Sequence, residues 1–358
     1  MPDTIAKPEA ETRAAKPAMA EPTDPRTPFT PETLQAQFDQ LGTDDILRYD
    51  DPDSVLRSIA RMVHAGRRDA ALGRLFEGHV NALQLIRLYG DETLRDWAAD
   101  AARDGHRIGV WNNDAFDNPL THDGKRLRGA KSFASGAGVL THALVTTRAD
   151  SADAVQMWRV TLDPETSATD RTWWQPAGMQ RSETHIVSWD EDRAAEAVPI
   201  GGPGLYQRQP HFSGGGLRFA AVQAGAVAGL HDRLVQDLNS RGRAGHPLQR
   251  RRIGESFACA QRAIDAVMSV AGAYHMIDPD LLHRVDCARH IVLDAAEEQI
   301  MRVQRAVGLS GLMHPHPLAT HLSDLAVYIR QPNPDGSLDA VAGAAIDGDL
   351  DFNLLGYA

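Results

Sequence analysis

The sequence contains few cysteines and no long hydrophobic run. Its two cysteines, Cys259 and Cys287, fit neither a metal-ligand motif nor a disulfide framework, so we interpret both as core thiols. No stretch of about 18 apolar residues is present, and the N-terminus lacks an apolar signal core. These absences argue against a membrane span and against secretory export, which makes a cytoplasmic protein the default expectation.

Positive charge is also scarce. The 358 residues include 37 Lys and Arg against 48 Asp and Glu, for a formal net charge of −11. This balance argues against a general nucleic-acid binder, because phosphates need clustered cations, and leaves only a local basic patch open. The shares of hydrophobic (42%) and charged (24%) residues are those of a globular protein, and the length predicts two or three packed units.

The N-terminal third divides into a tail and a helical region. Residues 1–31 are rich in Pro, Ala, Glu, Lys and Thr with almost no large apolar side chain, which predicts a disordered tail. Residues 32–106 carry apolar side chains at helical spacing and form a predicted N-terminal helical domain. Its clearest apolar face consists of Leu72, Phe76, Val80, Leu83 and Ile86.

Residues 107–200 have a different character. Short runs at 143–147, 156–162 and 185–189 carry β-branched and aromatic residues between turn clusters, which predicts a central β domain. A Gly- and Pro-rich connection covers 199–216.

Helical spacing returns in residues 217–330. Four segments, at about 217–240, 248–273, 279–307 and 317–329, predict a C-terminal four-helix bundle with short loops. The first segment is dense in Ala and Gly, so a neighbouring backbone can approach it closely. Residues 331–358 are interpreted as a tail. The predicted fold class is therefore α+β and multidomain, with helices, a β domain and a helical bundle in that order.

Four motifs accompany this order of elements. Gly129–Ala137 is similar to the strand motif G-x-K-x-(F/W)-x-(S/T)-(G/N)-A, and Trp174–Thr184 is similar to the turn motif G-M-R-x-T-x-S. Arg241–Leu248 is similar to R-x-x-F-G-K-P-L, and Gly308–Asp324 is similar to G-x-x-G followed by P-L-x-R-x-x-R-D. Together they resemble the acyl-CoA dehydrogenase superfamily. Ser135-Gly136-Ala137 and the His-Pro-Leu at His316 resemble its branch of flavin-dependent monooxygenases of the dibenzothiophene desulfurase type.

The resemblance implies an FAD, with FMN as an alternative, between the β domain and the bundle. Phe133 would lie against the flavin ring and the Ser135 hydroxyl would reach a ring nitrogen, because residues two apart share a strand face. The alternative for Phe133 is an ordinary core aromatic. Val110, Trp111 and Asn112 occupy the place of the family's flavin loop, where they offer stacking and amide donors or else form only a solvated turn.

The other cofactor residues implied by the resemblance lie in the bundle. Arg241 takes the family role of reaching the FAD pyrophosphate of a neighbouring subunit, with a surface arginine as the alternative. Gly308 and Gly311 match the turn that approaches the adenosine half, and a helix C-terminus is compatible with the same glycines. The resemblance also implies a homodimer or homotetramer assembled through the bundle.

The catalytic residues stay unidentified. Acyl-CoA dehydrogenation needs a carboxylate to remove the α proton, but the two family positions for it fall at Leu217 and near Pro332. Asp335 or Asp339 could replace it if the alignment is displaced.

Further family residues are missing around the last bundle helix. The arginines of R-x-x-R-D are replaced by Thr320 and Ser323, which leaves Asp324 without its usual companions. The histidines of the monooxygenase branch fall at Tyr328 and Gln331. Three other histidines lie close by, at His314, His316 and His321. Their spacing matches no metal motif, so we expect no metal.

Three functions follow from the resemblance. The first is an FAD-dependent oxidoreductase that acts on an acyl thioester, on CoA or a carrier protein, without the usual catalytic Glu and with an electron-transfer partner. The second is a monooxygenase that uses reduced flavin delivered by a flavin reductase. The third is a non-catalytic flavin- or acyl-binding protein. The sequence does not identify the substrate.

Overall fold

The structure is a computed structural model that describes residues 27–42, 51–101, 103–123, 126–149, 154–190, 196–274, 281–331, 333–350 and 352. The helices are α1 (Pro31–Leu41), α2 (Pro52–Arg68), α3 (Ala70–Tyr89), α4 (Glu92–Ala101), α5 (Gly215–Ser240), α6 (Pro247–Ala273), α7 (Leu281–Val307), α8 (Pro317–Tyr328) and α9 (Pro334–Asp347). The strands are β1 (Ile108–Trp111), β2 (Thr121–His122), β3 (Leu127–Ala134), β4 (His142–Arg148), β5 (Val155–Thr161), β6 (Ala168–Asp170), β7 (His185–Trp189) and β8 (Ala197–Ile200).

The predicted succession of helices, β domain and helical bundle is confirmed. Two of the bundle helices, α6 and α8, begin at the same His-Pro-Leu sequence. In each, the histidine is the N-cap and its Nδ1 accepts a hydrogen bond from the leucine N–H, at 3.3 Å for His246 and 3.2 Å for His316. The following proline occupies the first helical turn, where no N–H is needed. The repeated motif therefore fixes where both helices start.

Within the described residues, the β domain forms two four-stranded sheets. One has the order β1-β4-β5-β8, in which β1 and β4 are parallel and the other pairs antiparallel. The second has the order β2-β3-β7-β6 and is antiparallel throughout. The register of β3 against β7 shifts between Lys131 and Ala134. This irregularity lies in the middle of the predicted flavin-contacting motif.

The Ala- and Gly-rich helix α5 packs against α2 of the same chain. A Cβ atom at Gly225 would overlap the carbonyl oxygen of Val63, and one at Gly66 would overlap that of Val222. Arg67 of α2 also forms a two-pronged ion pair with Asp232 of α5, at 2.5 and 2.8 Å. The close approach predicted for α5 is therefore confirmed, but its partner is the N-terminal helical region rather than a second subunit.

Two local interpretations need correction. Cys259 is buried, but Cys287 is exposed on α7 and is not a core thiol. Helix α9 lies within the predicted C-terminal tail. It is built mainly from small residues, so it has no strong apolar stripe that sequence periodicity can detect. The predicted disordered tail covers residues 1–31, of which residues 1–26 lie outside the described residues. The prediction is wrong for its last residues, because Phe29 is buried, Thr30 is the N-cap of α1 and Pro31 begins that helix.

No helix in the described part of the chain is both long enough and apolar enough to cross a membrane.

Candidate functional site

A cavity of about 680 Å³ lies between the β domain and the helices. One wall comes from β1, β3 and the turn that precedes β7. The opposite wall comes from α3 and the start of α5, and the remaining lining comes from α7, the end of α8, the start of α9 and the connection before α5. The volume lies in the range of about 300–1,000 Å³ that is usual for small-molecule sites.

The β wall contains a strained aromatic residue. Phe133 has a φ of +53°, a left-handed conformation that bulky L residues rarely adopt, and its side chain is 40% exposed. Its ring meets Trp173 edge-on at 4.9 Å between centroids. This backbone conformation coincides with the register shift in β3. An exposed aromatic held at a cost in strain is typical of a ligand-contacting position.

A hydroxyl chain lies beside Phe133. Thr184 Oγ1 donates to Ser135 Oγ at 3.0 Å and lies 2.7 Å from Ser182 Oγ, which donates to the Met179 carbonyl at 2.7 Å. Each hydroxyl has one proton, so Ser135 offers a ligand its O–H when Thr184 donates to it and an acceptor oxygen when it donates to Thr184. Ser135 follows β3 rather than lying within it, so the alternation argument for Phe133 and Ser135 is wrong. Both residues nevertheless line the cavity.

The lysine of the strand motif, Lys131, is buried and contacts other residues of the β domain. Lys131 is 1% exposed, and its Nζ donates to Asp114 Oδ1 at 2.6 Å, to the Asn112 carbonyl at 2.9 Å and to Thr146 Oγ1 at 3.1 Å. Burial lowers the pKa of Lys131, and Asp114 opposes this effect. The lysine therefore fixes the loop after β1 at the edge of the cavity.

The end of β1 and the start of that loop contain three residues predicted to bind the cofactor, which are Val110, Trp111 and Asn112. Val110 and Asn112 line the cavity. Asn112 Oδ1 accepts from Thr146 Oγ1 at 2.9 Å, which leaves its amide NH2 available to a ligand. Trp111 is 1% exposed in the core, and its indole N–H donates to the Ser135 carbonyl at 3.0 Å. Its side chain therefore supports the wall from behind and does not offer a stacking surface.

The turn before β7 is held against helix α8. A Cβ at Gly178 would overlap the backbone of Ser323, and the Met179 N–H donates to Asp324 Oδ1 at 2.6 Å. Met179 and Glu183 both have left-handed backbone conformations. The contact with Asp324 therefore fixes the turn that presents the hydroxyl chain.

Asp324 belongs to a buried charge cluster. Arg181 Nη1 binds Asp69 Oδ2 at 2.6 Å, and both side chains are 8% exposed. The positive charges of Arg181 and Arg233 both lower the pKa values of the Asp69 and Asp324 carboxyl groups. Asp324 thus lacks the arginines of its own helix, as expected, but Arg181 from the turn and Arg233 from α5 act on its carboxyl group instead.

Burial dominates the titration of this cluster. It raises the pKa of Asp324 to about 7, with a smaller contribution from the charge of Asp69. It lowers the pKa of His321 to about 3, with help from Arg233. Burial alone would raise the pKa of Asp69, but Arg181, His321 and the Leu72 N–H hold it below its usual value.

The helical wall is charged. Glu77 of α3 is 1% exposed and lies between two arginines, with Arg74 Nη1 at 2.9 Å from one carboxylate oxygen and Arg218 Nε at 3.1 Å from the other. Arg218 also donates to Gln84 Oε1 at 3.0 Å and to Asn81 Oδ1 at 2.7 Å. Both Glu77 oxygens are therefore engaged by arginine.

Other polar groups complete the lining. Asp286 of α7 is ion-paired with Arg289 at 2.8 Å, and burial raises the pKa of Asp286. Burial lowers the pKa of His211, with Arg218 and Arg208 adding to the effect. Among the described residues, the buried His211 Nδ1 has no hydrogen-bond partner.

Two tyrosines of the lining are neutral phenols. Burial raises the pKa of Tyr206 to about 12 and raises that of Tyr328 well above its usual range. The buried Tyr328 hydroxyl finds no hydrogen-bond partner within the described part of the chain.

The positions predicted for a catalytic base hold none. Leu217 is buried and apolar, whereas its neighbours Gly216 and Arg218 line the cavity. Pro332 lies outside the described residues. Of the two aspartates considered as replacements, Asp335 and Asp339, both are exposed and neither lines the cavity.

The remaining predicted cofactor residues lie together, away from the cavity lining. Arg241 follows α5 and binds Ser310 Oγ at 2.8 Å, His316 Nε2 at 3.0 Å and Asp237 at 2.9 Å. Gly308 and Gly311 flank Ser310 in the short turn after α7. The structure thus brings these three residues to one place but not to Phe133 and Ser135.

Sequence reasoning missed the charged wall. Arg74, Glu77, Asn81 and Gln84 recur at helical spacing along α3, a helix whose other side chains are largely buried. A polar stripe on a buried helix indicates an internal polar site, because unpaired buried polar groups are costly. That stripe was visible in the sequence. Its partner Arg218, on α5, was not.

No protein-family model matches the chain, and no curated protein matches its sequence. Solved structures do match. Butyryl-CoA dehydrogenase from Megasphaera elsdenii has a TM-score of 0.73 at 15% identity, with 89% of this chain and 91% of that chain covered. The FMN-bound dibenzothiophene monooxygenase TdsC from Paenibacillus sp. A11-2 has a TM-score of 0.69 at 18% identity, with 83% and 84% covered.

A third match is KijD3, solved in complex with FMN and a dTDP-linked amino-keto sugar. Its TM-score is 0.69 at 20% identity, with 91% of this chain and 88% of that chain covered. The chain therefore has the acyl-CoA dehydrogenase fold, and the resemblance carried by the four motifs is confirmed at the level of the fold. No cluster of metal-binding side chains occurs within the described ranges.

Proposed function

We propose that this chain is a flavin-dependent oxidoreductase that holds FAD or FMN in the cavity between the β domain and the helices. Structures of the same fold that contain FMN support this assignment. When bound, the flavin supplies two-electron chemistry, either by accepting a hydride or by passing electrons to O2.

The residues of the β wall fit a flavin. Phe133 presents an exposed aromatic ring in a strained conformation, which suits a large planar ligand. The Ser135 hydroxyl and the Asn112 NH2 belong to the cavity lining and supply hydrogen-bonding groups for a ligand. Phe133, Ser135, Val110 and Asn112 would therefore hold the ring. Lys131 and the hydroxyl chain keep these groups in place.

Between the two reaction classes, the geometry favours oxygenation over acyl-CoA dehydrogenation. The observation that carries this choice is that Glu77 is engaged by arginine at both oxygens, by Arg74 and Arg218. Asp286, the other carboxylate among the described lining residues, is ion-paired with Arg289 through one oxygen and is the remaining candidate for a base. Removal of an α proton needs a carboxylate free to accept it. In a monooxygenation, one atom of O2 enters the substrate, the other leaves as water, and reduced flavin provides two electrons. No substrate base is obligatory.

The cofactor assignment is tested by titrating FMN and FAD into the purified protein and following flavin fluorescence. The double variant Phe133→Ala/Ser135→Ala should bind at least about 10-fold more weakly, since it loses a ring contact and a hydrogen bond. Phe116→Ala is the matched control, because Phe116 is fully exposed in a turn of the same domain. Equal affinity of the double variant and the control would refute the assignment.

The reaction class is tested separately. With dyes as electron acceptors, acyl-CoA esters of short, medium and long chains should give turnover below about 1 s⁻¹, the lower end of ordinary enzyme rates. With a flavin reductase and NADH, the protein should couple O2 consumption to oxidation of a substrate. Turnover above that rate on any acyl-CoA would show that a catalytic base exists and would restore the dehydrogenase hypothesis. That hypothesis is the second candidate, because the fold is similar to that of butyryl-CoA dehydrogenase.

We also propose a homodimer, or a tetramer of dimers, assembled through the bundle. Its surface exposes several large apolar side chains, which are Leu248, Phe257, Met301, Leu309, Leu312 and Met313. Arg241, Gly308 and Gly311 would then meet the nucleotide half of an FAD held by the partner subunit. The nitrogens of Arg241 are engaged within the chain, so this role requires those bonds to be exchanged.

A further inference from the structure

The charged wall of the cavity has an excess of positive charge. Three arginines line the cavity, Arg74, Arg218 and Arg289, against two carboxylates, Glu77 and Asp286. This local balance is opposite in sign to that of the chain, whose formal net charge is −11. Cationic side chains on a cavity wall attract an anionic ligand, and the described part of this wall contains three of them.

Arg74 is the cation best placed to bind such an anion. Its side chain is 14% exposed, and among the described residues only its Nη1 has a hydrogen-bond partner, Glu77. Its guanidinium carbon lies 5.2 Å from the centre of the Phe219 ring, which also lines the cavity. A guanidinium fixed by one carboxylate and one ring retains donors for a second oxygen-bearing group.

Tyr328 supplies an independent observation. It is 2% exposed and lines the cavity, and its hydroxyl has no hydrogen-bond partner within the described residues. Its ring lies 6.0 Å from that of Phe219, and it senses the charge of Arg74. Buried hydroxyls are rarely left unpaired, so this O–H indicates a ligand acceptor.

We propose that Arg74 and Tyr328 together bind an anionic oxygen group, a carboxylate or phosphate, at the helical wall of the cavity. This inference deepens the proposed function and rests on it, because it places the group in the cavity that holds the flavin. The anion belongs either to the substrate or to the phosphate of FMN. In the first case, the substrate is a small acid whose remaining part faces the aromatic side chains.

The substrate arm uses benzoate and benzamide, which share a ring and differ in charge. Both are titrated by calorimetry into FMN-loaded and flavin-free protein. Benzoate should bind at least about 10-fold more tightly than benzamide, and Arg74→Gln should remove most of that preference, as expected for loss of a hydrogen bond to a charged group. Tyr328→Phe should reduce it by about 3- to 10-fold, because the O–H contributes one bond.

The cofactor arm compares FMN with riboflavin, which lacks the phosphate. If Arg74→Gln weakens FMN but not riboflavin, the bound anion is the phosphate of the cofactor. If it weakens benzoate only, the anion belongs to the substrate. Both outcomes support the site. The proposal is overturned if Arg74→Gln and Tyr328→Phe change neither the benzoate preference nor the FMN preference.

Controls separate this result from general damage and from failure of the proposed function. Arg251→Gln removes an arginine that is 78% exposed on α6 and should change none of these affinities. Arg74→Lys keeps the charge and should restore part of the preference. Benzoate selectivity in flavin-free protein, together with no flavin binding, would refute the flavoprotein assignment while leaving the anion site intact.

Discussion

The two walls of the cavity are built in different ways. The β wall takes its cavity-lining groups from three short stretches, 110–113, 132–135 and 174–184, and uses strained backbone and local hydrogen bonds. The helical wall brings Arg218 to Glu77 across 141 positions of the chain and uses buried ion pairs. In the β wall, the main unfavourable contribution to the free energy of folding is backbone strain. In the helical wall, it is the desolvation of charged side chains.

The difference predicts how each wall fails. A change in the helical wall leaves a buried charge unpaired and should weaken the whole fold. A change in the β wall should alter ligand binding with little effect on stability, because its exposed groups are not part of the core.

The largest expected effect is that of Glu77→Leu. It leaves Arg74 and Arg218 without their shared counter-charge at a position 1% exposed, so the free energy of unfolding should fall by about 3–5 kcal/mol. Urea unfolding followed by circular dichroism measures it. Glu255→Gln disrupts only solvent-exposed ion pairs, with Arg251 on α6 and Arg302 on α7, and should leave the midpoint nearly unchanged. If the urea midpoint of Glu77→Leu equalled that of Glu255→Gln, the proposed difference in stability between the two walls would be wrong.

The same difference explains what could be predicted from the sequence. The β wall was found because its groups are neighbours in the chain, so a motif preserves their spacing. Arg218 could not be assigned, because its partners Glu77, Asn81 and Gln84 lie on another helix and only packing brings them together. Strand alternation placed Phe133 and Ser135 on one face for a wrong reason, since the register shift and the end of β3 position them.

The helices themselves were predictable, but some of their partners were not. Apolar periodicity located the bundle helices, and the small residues of α5 correctly indicated close packing. Nothing in the sequence of α5 specifies whether Gly225 meets a second subunit or, as observed, Val63 of α2. Likewise, Asp324 obtains its arginine companions from Arg181 and Arg233, which lie far from it in sequence.

The second prediction sharpens the comparison through pH, since the buried carboxyl group of Asp324 accepts a hydrogen bond from the turn of the β wall. Burial raises the pKa of Asp324 from 3.8 to about 7. Between these values the native state holds the proton and the unfolded chain releases it, so the native state binds more protons. The contribution of Asp324 to the free energy of unfolding should therefore fall as pH rises from about 4 to about 7, by up to about 1.4 kcal/mol per pH unit.

The variant Asp324→Asn isolates this contribution, because the amide keeps an oxygen for the Met179 N–H and cannot titrate. Relative to wild type, the variant should become progressively more stable as pH rises through that window. The other groups facing Asp324, which are Asp69, Arg181 and Arg233, are present in both proteins. A stability difference that does not change between pH 4.5 and pH 7 would show that Asp324 is ionised throughout.

The smallest effect on stability is expected at Phe133. A substitution by glycine there relieves backbone strain but removes an aromatic contact, and these two effects oppose each other. Phe133→Gly relieves a left-handed conformation that costs a non-glycine residue about 1–2 kcal/mol, and it removes an edge-on contact with Trp173 worth about 0.5–1.5 kcal/mol. The free energy of unfolding should therefore change by less than about 1 kcal/mol, while FMN affinity falls about 10-fold, as for loss of one aromatic contact. Denaturant unfolding and fluorescence titration of the same preparation measure both quantities.

Phe133→Ala is the matched control, since it loses the ring but keeps the strain, and it should be less stable than Phe133→Gly. If Phe133→Gly instead lost several kcal/mol, Phe133 would be a core residue, and the β wall would be held together in the same way as the helical wall.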